Sequence, residues 1–253
     1  MNRLVKSLVL IGLAGLAGCE KAPERPQPTE AQKKAFREAN VILTACAASD
    51  MEKVKTLLEK NPALVNAQND VGETPLGRAV VAMHPNEELV KYLLDHGADV
   101  EGSAKWGESP LHGAAGGGSK NIVVLLLEHG AKVNARSRYG RTPMGFAAWR
   151  DRTEVADVLL AHGAEINVFE AAALGKKKKL EEFLRADPKA ISATDELGLT
   201  PLHWAALVGH AETVRLLLVH KADRFVHDHR GYSPCDAART RNHHEIVELM
   251  RCP

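Results

Sequence analysis

One short element recurs along this chain at a nearly fixed interval, and that recurrence limits the fold more than any other feature. It reads Gly72-Glu73-Thr74-Pro75-Leu76, then Gly107-Glu108-Ser109-Pro110-Leu111 and Gly140-Arg141-Thr142-Pro143-Met144. It returns as Gly198-Leu199-Thr200-Pro201-Leu202 and Gly231-Tyr232-Ser233-Pro234-Cys235. The hydroxyl residues lie 35, 33, 58 and 33 positions apart. A second element, His-Gly-Ala, begins at His96, His129 and His162, each 33 apart, with a variant at His220-Lys221-Ala222. Two independent motifs sharing one period mean a single structural unit repeated in tandem.

Each element has a physical role. Thr or Ser suits the position before a helix, where its oxygen accepts an unpaired backbone N–H, and Pro suits the first helical residue. Alanine pairs follow at Ala114-Ala115, Ala147-Ala148, Ala205-Ala206 and Ala237-Ala238. Side chains this small let a first helix lie close against its neighbour. Hydrophobic residues make up 45% of the chain but aromatics only 4%, which fits closely stacked helices. A second helix carries the aliphatic runs at 89–94, 122–127, 155–160 and 214–218, and Gly97, Gly130 and Gly163 close it.

These motifs resemble the ankyrin repeat over residues 38–253. The resemblance implies an all-α solenoid of about seven stacked helix pairs with short hairpin fingers. The first pair, about 38–71, lacks the Thr-Pro-Leu opening and has Asn61-Pro62-Ala63-Leu64-Val65-Asn66 in place of His-Gly-Ala. The 58-residue interval departs from the pattern. Two repeats of 33 would need 66, so eight residues are missing, yet a helix pair is present at 169–174 and 177–185. The finger before this fifth pair is therefore expected to be truncated, leaving a notch in the row.

Ahead of the repeats, Arg3 and Lys6 precede an apolar stretch over 8–17 that is too short to span a bilayer. It closes in Leu16-Ala17-Gly18-Cys19, which resembles the bacterial lipobox. That resemblance implies a signal peptide at 1–18 and a lipid on Cys19. Loss of Arg3 and Lys6, with no acid removed, would turn the formal charge from +1 to −1. Glu20 in place of Asp implies sorting to the outer membrane, facing the periplasm. Residues 19–37, with Pro23, Pro26 and Pro28, read as a lipidated flexible tether.

The sequence offers little catalytic chemistry. There is no nucleophile elbow, phosphate loop or supported carboxylate pair, and Gly116-Gly117-Gly118 falls in a turn between helices. No enzyme activity, cofactor or metal is expected. The resemblance gives His112 and His203 a structural part, tying adjacent loops, and places His96, His129 and His162 at helix ends. His227-Asp228-His229 and His243-His244 are the metal-like groupings, and a metal or redox accessory role is the alternative function. Lys176 to Lys179 open a helix against its dipole, either as a solvated start or as a contact for anionic groups. Near-balanced charge, 33 basic against 32 acidic, argues against nucleic acid.

The expected function is therefore non-catalytic binding, by a monomer, of a periplasmic or envelope protein through the concave face, with an inhibitor, immunity-type or accessory role toward an exported enzyme as a narrower version. The resemblance places the binding surface on the fingers and the residues after the alanine pairs. There Trp106, Glu108, Tyr139, Arg141, Trp149 and Arg150 concentrate residue types common in interface hot spots. The alternative for Trp149 is packing between repeats. Cys235 and Cys252 start and end the last helix pair, whose antiparallel course makes a disulfide feasible. Against it, Cys252 aligns with Glu128 and Val219, which face away from the first helix. Cys46 is expected to be a buried free thiol.

Overall fold

In the computed structural model, residues 29–102 and 106–252 are described. The signal, Cys19 and the first part of the tether lie outside them. Seven helix pairs follow one another: α1 (Glu30–Ala47) and α2 (Met51–Lys60), α3 (Pro75–Val80) and α4 (Glu87–Asp95), α5 (Pro110–Gly117) and α6 (Lys120–Glu128). Then come α7 (Pro143–Trp149) and α8 (Thr153–Ala161), α9 (Val168–Ala173) and α10 (Lys177–Ala186), α11 (Pro201–Val208) and α12 (Ala211–Val219), α13 (Pro234–Thr240) and α14 (His244–Leu249). No strand occurs among the described residues.

The caps explain why helices form here. Thr74, Thr142, Thr200 and Ser233 accept backbone N–H groups at the starts of α3, α7, α11 and α13. At the other end, the ring Nδ1–H of His96, His129 and His162 donates to the carbonyls of Tyr92, Leu125 and Val158, each at 2.8 Å. These histidines thus satisfy carbonyls that a helix end leaves unpaired, before the following glycine reverses the chain. First helices stack through fully buried alanines, among them Ala115, Ala148, Ala172 and Ala206.

One boundary differs from expectation. The tether expected over 19–37 overlaps α1 from residue 30 on, because Thr29 and Gln32 form a reciprocal capping box that starts the helix early. Its first turns are exposed, and burial begins at Ala39. The two extra residues of the 35-residue interval lie in the α3–α4 turn, 81–86, where Met83 is 89% exposed.

The fifth pair is the irregular one. Asn167 takes the capping slot 25 residues after Thr142 and 33 before Thr200, so the eight missing residues come out of the finger. Glu170 closes a capping box with Asn167 and accepts from Thr142 Oγ1 at 3.4 Å. Its Oε1 lies 3.2 Å from where a Cβ on Gly145 would stand, filling a slot that holds histidine in α5 and α11. Burial pushes the Glu170 carboxyl above the ordinary glutamate range. The core also divides here. One apolar cluster runs from Ala39 to Ala173 and Leu174, the other from Val168, Ala171 and Ala172 to Met250.

Candidate protein-binding face

Three of the fingers are turns stapled by a side chain. Oδ1 of Asn69 accepts the N–H groups of Val71 and Glu73, that of Asp195 those of Leu197 and Leu199, and that of Asp228 those of Arg230 and Tyr232. In the fourth finger the slot holds Ser137, whose buried Oγ has no partner among the described residues. Adjacent fingers join edge to edge: Arg138 N donates to Trp106 O at 2.8 Å and His229 N to Leu197 O at 3.0 Å. Beneath them, His112 Nε2–H donates to Arg141 O and His203 Nε2–H to Tyr232 O, both at 3.0 Å. Their Nδ1 atoms accept the N–H groups of Ser109 and Thr200.

Both imidazoles are therefore needed neutral. Burial pushes their pKa below the ordinary histidine value, outweighing the upward pull of the carbonyl bonds. A lowered folded pKa gives stability that is fully present above the unfolded value, about 6.5, and is lost as pH falls through the folded one. Glu170, pushed up, works the other way and regains a little as it protonates. The melting temperature is thus expected to hold above about pH 7 and to fall between about pH 6.5 and 5. A thermal melt that stays level over that window contradicts this assignment.

The fingertips expose an apolar row. Val71, Trp106, Tyr139 and Leu197 each stand before a finger glycine and each is exposed. Trp106 and Tyr139 stack with ring centroids 5.7 Å apart. Below them, the Arg141 guanidinium lies over Trp149 at 5.9 Å, and Trp149 meets Trp204 edge to face at 5.3 Å. Trp204 Nε1 donates to Asp195 Oδ2 at 3.0 Å. The candidate residues thus form two aromatic groups, and Trp149 packs between repeats while remaining half-exposed. Arg150 is exposed at the end of α7, and Glu108 lies half-buried beside Ser109, where its charge acts on His112.

Trp204 was not among the sequence candidates. It comes from α11 and reaches Trp149 of α7 over the intervening α9. The position in α9 equivalent to Trp204 is Ala171, fully buried and too small to obstruct it. Asp151 Oδ1 and His210 Nε2, 3.0 Å apart, make the same crossing.

A family model described as ankyrin repeats, in three copies, matches residues 2–104, 80–170 and 168–252. The chain belongs to the ankyrin-repeat family. An ankyrin repeat protein of Rickettsia bellii is 36% identical over 81 residues, 32% of this chain and 45% of that protein. The serine/threonine-protein kinase VIK of Arabidopsis thaliana is 33% identical over 101 residues, 39% of this chain and 23% of the kinase. The human DNA-binding protein RFXANK is 43% identical over 56 residues, 22% of each chain. This ankyrin protein thus spans less than half the length of each of these relatives. Ankyrin repeats are scaffolds for protein–protein interaction rather than catalysis.

The remaining candidates find local partners. His229 packs its ring against Gly198, His243 Nε2–H donates to Leu207 O at 3.2 Å, and Asp228 is held by Arg230 at 2.8 Å. Burial alone would raise the Asp228 carboxyl, but bonds from Tyr232 and Arg230 hold it below the usual carboxylate range. No three His, Cys, Asp or Glu side chains converge on one point among the described residues, so the histidine-rich end lacks a ligand set. In the lysine run, Lys176 pairs with Asp157, Lys177 with Glu212 and Lys179 with Glu182. Cys235 and Cys252 are bonded, with Cα atoms 5.9 Å apart. Cys252 does not follow Glu128 and Val219, because α14 ends at Leu249 and Arg251 turns the chain back with φ +48°. Cys46 is free, and burial pushes its thiol up to about 12. Among the described residues no helix is long and apolar enough to cross a membrane.

Proposed function

We propose that this ankyrin protein is a monomeric, non-catalytic binding module, lipid-anchored on the periplasmic side of a bacterial membrane, that holds one exported protein on its finger face. The stacked, exposed pair Trp106 and Tyr139, beside the chain Arg141–Trp149–Trp204, carries the reading. Large aromatics and arginine on an exposed rigid scaffold are what protein interfaces use as anchors. The kinase and the DNA-binding relative suggest other partners, but a formal charge of +1 over 253 residues is not the strongly basic balance of a nucleic-acid binder. The anchor rests on Leu16-Ala17-Gly18-Cys19, and an inhibitor or immunity-type role fits a single tethered copy beside an exported enzyme.

Two measurements test the proposal. Cys19→Ser is expected to move the protein from the membrane fraction to the soluble one, and undiminished membrane association would end the lipoprotein reading. Partner co-purified from the cell envelope is expected to be lost with Trp106→Ala and Arg150→Ala, each weakening affinity about tenfold or more. Recovery equal to that of the unaltered protein would remove the finger face from consideration.

A further inference from the structure

The missing fifth finger leaves more than a gap. Where fingers adjoin, the carbonyl before the glycine accepts from the N–H two places before the next finger's glycine, as in Trp106 O with Arg138 N and Leu197 O with His229 N. By the same register, Tyr139 O of the fourth finger and Glu196 N of the sixth await the absent fifth finger, and neither has a backbone partner among the described residues. The floor beneath is the Trp149–Trp204 pair.

Charge at this place is also unbalanced. Arg136, Arg138, Arg141, Arg150 and Arg152 are all exposed, and residues 136–152 hold one acid, Asp151. Elsewhere Arg78 is neutralised by Glu73, Arg215 by Glu245 and Arg230 by Asp228, although Arg37, Arg185, Arg224, Arg241 and Arg251 also lack an ion pair among the described residues. None of the five in the fourth repeat has an ion-pair partner among the described residues. Three of them adjoin the residues around the gap. Arg141 lies over Trp149, Arg150 stands between the two residues that cross to the sixth pair, and the charge of Arg136 acts on Glu170 of α9.

We propose that the notch between the fourth and sixth fingers receives an extended, acidic segment of the protein partner, which takes the place of the missing finger. Its backbone pairs with Tyr139 O and Glu196 N, its carboxylates meet Arg141 and Arg150, and an apolar side chain lies on Trp149 and Trp204. This rests on the protein-binding reading above and adds where and by what chemistry the partner is held. The chain's own tether does not fit: residues 19–28 hold two acids against two bases, and Pro23, Pro26 and Pro28 lack the N–H that backbone pairing needs. A flat lipid surface does not fit a floor recessed between fingers.

The test uses the full-length lipidated protein in detergent micelles. The probe is a fluorescein-labelled peptide of alternating glutamate and valine, with a lysine-for-glutamate copy as control. The acidic peptide is expected to bind and quench tryptophan fluorescence, and the lysine copy is not. Arg141→Glu with Arg150→Glu should weaken binding at least tenfold. Inserting eight residues before Asn167, which restores the 33-residue interval, should do the same while circular dichroism keeps its helical signal. Should either variant fail to fold, the unaltered protein with a peptide methylated at alternate amides gives the same answer through lost backbone pairing.

Equal binding of both peptides, or an insertion variant that binds as tightly, overturns the proposal. So does binding to phosphatidylglycerol vesicles with the same arginine dependence and no peptide affinity, or an Arg141-dependent dimer in place of peptide binding. If Trp106→Ala abolishes partner capture while the notch variants leave it intact, the binding reading stands and the notch falls. If no variant affects capture, both fall.

Discussion

Trp204→Ala is expected to cost about 3 kcal/mol, at the low end for a tryptophan because the ring is half-exposed. It is also expected to split unfolding into two steps. Leu202 and Ala205 on α11 belong to the C-terminal core cluster, yet the indole itself packs on the N-terminal cluster. The side chain therefore couples two apolar cores that otherwise meet along α9, at Ile166 and through Val208. A solenoid's cooperativity is carried by such neighbour interfaces, since no contact spans the whole stack. Removing the indole leaves the Asp151–His210 pair as the other named crossing, and a half-exposed ion pair contributes about 1 kcal/mol at most. Asp195 keeps its two finger bonds, so the sixth finger should survive. Urea unfolding followed by far-UV circular dichroism and by Trp106 fluorescence should coincide in the unaltered protein and separate in the variant. Trp204→Phe should restore most of the coupling. Coincident curves in Trp204→Ala, with a loss under about 1 kcal/mol, would mean that α9, Ile166 and Val208 join the two halves without the indole.

The helix pairs were legible in the sequence because the features that make them are local. Thr142, Pro143 and Gly163 act on their own backbone neighbours, and their chemistry needs no knowledge of what packs on top. The missing finger was legible for the same reason, as a count of residues between caps. The start of α1 was not, because three prolines mask the reciprocal Thr29–Gln32 box that begins just after them. Trp204 was missed because its contact depends on a residue that is small rather than one that is present. Only the stacked structure puts Ala171 beneath it and Trp149 beyond. The arginines were visible as a run from Arg136 to Arg152, but their lack of partners was not, since pairing is decided by which acids the neighbouring repeats bring near. The bond between Cys235 and Cys252 hung on the last turn. Alignment with complete second helices carried α14 too far, whereas it stops at Leu249 and Arg251 redirects the chain.

That last turn makes the second large expectation. Cys252→Ala should destabilise the final helix pair by about 3 kcal/mol, the closure entropy of a loop whose ends are 17 positions apart. Cys235, only 3% exposed, keeps its core position in this variant, so the loss reads the bond rather than a cavity. The loss should be local first. A terminal repeat has one neighbour, and α14 is six residues long, too short to be helical without its packing. Besides the disulfide it is held by Ile246 and Met250 in the core, by the Arg215–Glu245 ion pair at 3.3 Å, and by Arg224 Nη1 donating to Met250 O at 2.6 Å. Amide exchange in α14 should therefore quicken about a hundredfold, the rate equivalent of that free energy, while exchange in α5 and α7 stays unchanged. Treating the unaltered protein with reductant should reproduce the effect. Unchanged exchange in α14, or three free thiols besides Cys19 in unreduced denatured protein, would show that Arg224, the Arg215–Glu245 pair and the core secure the end of the stack without the bond.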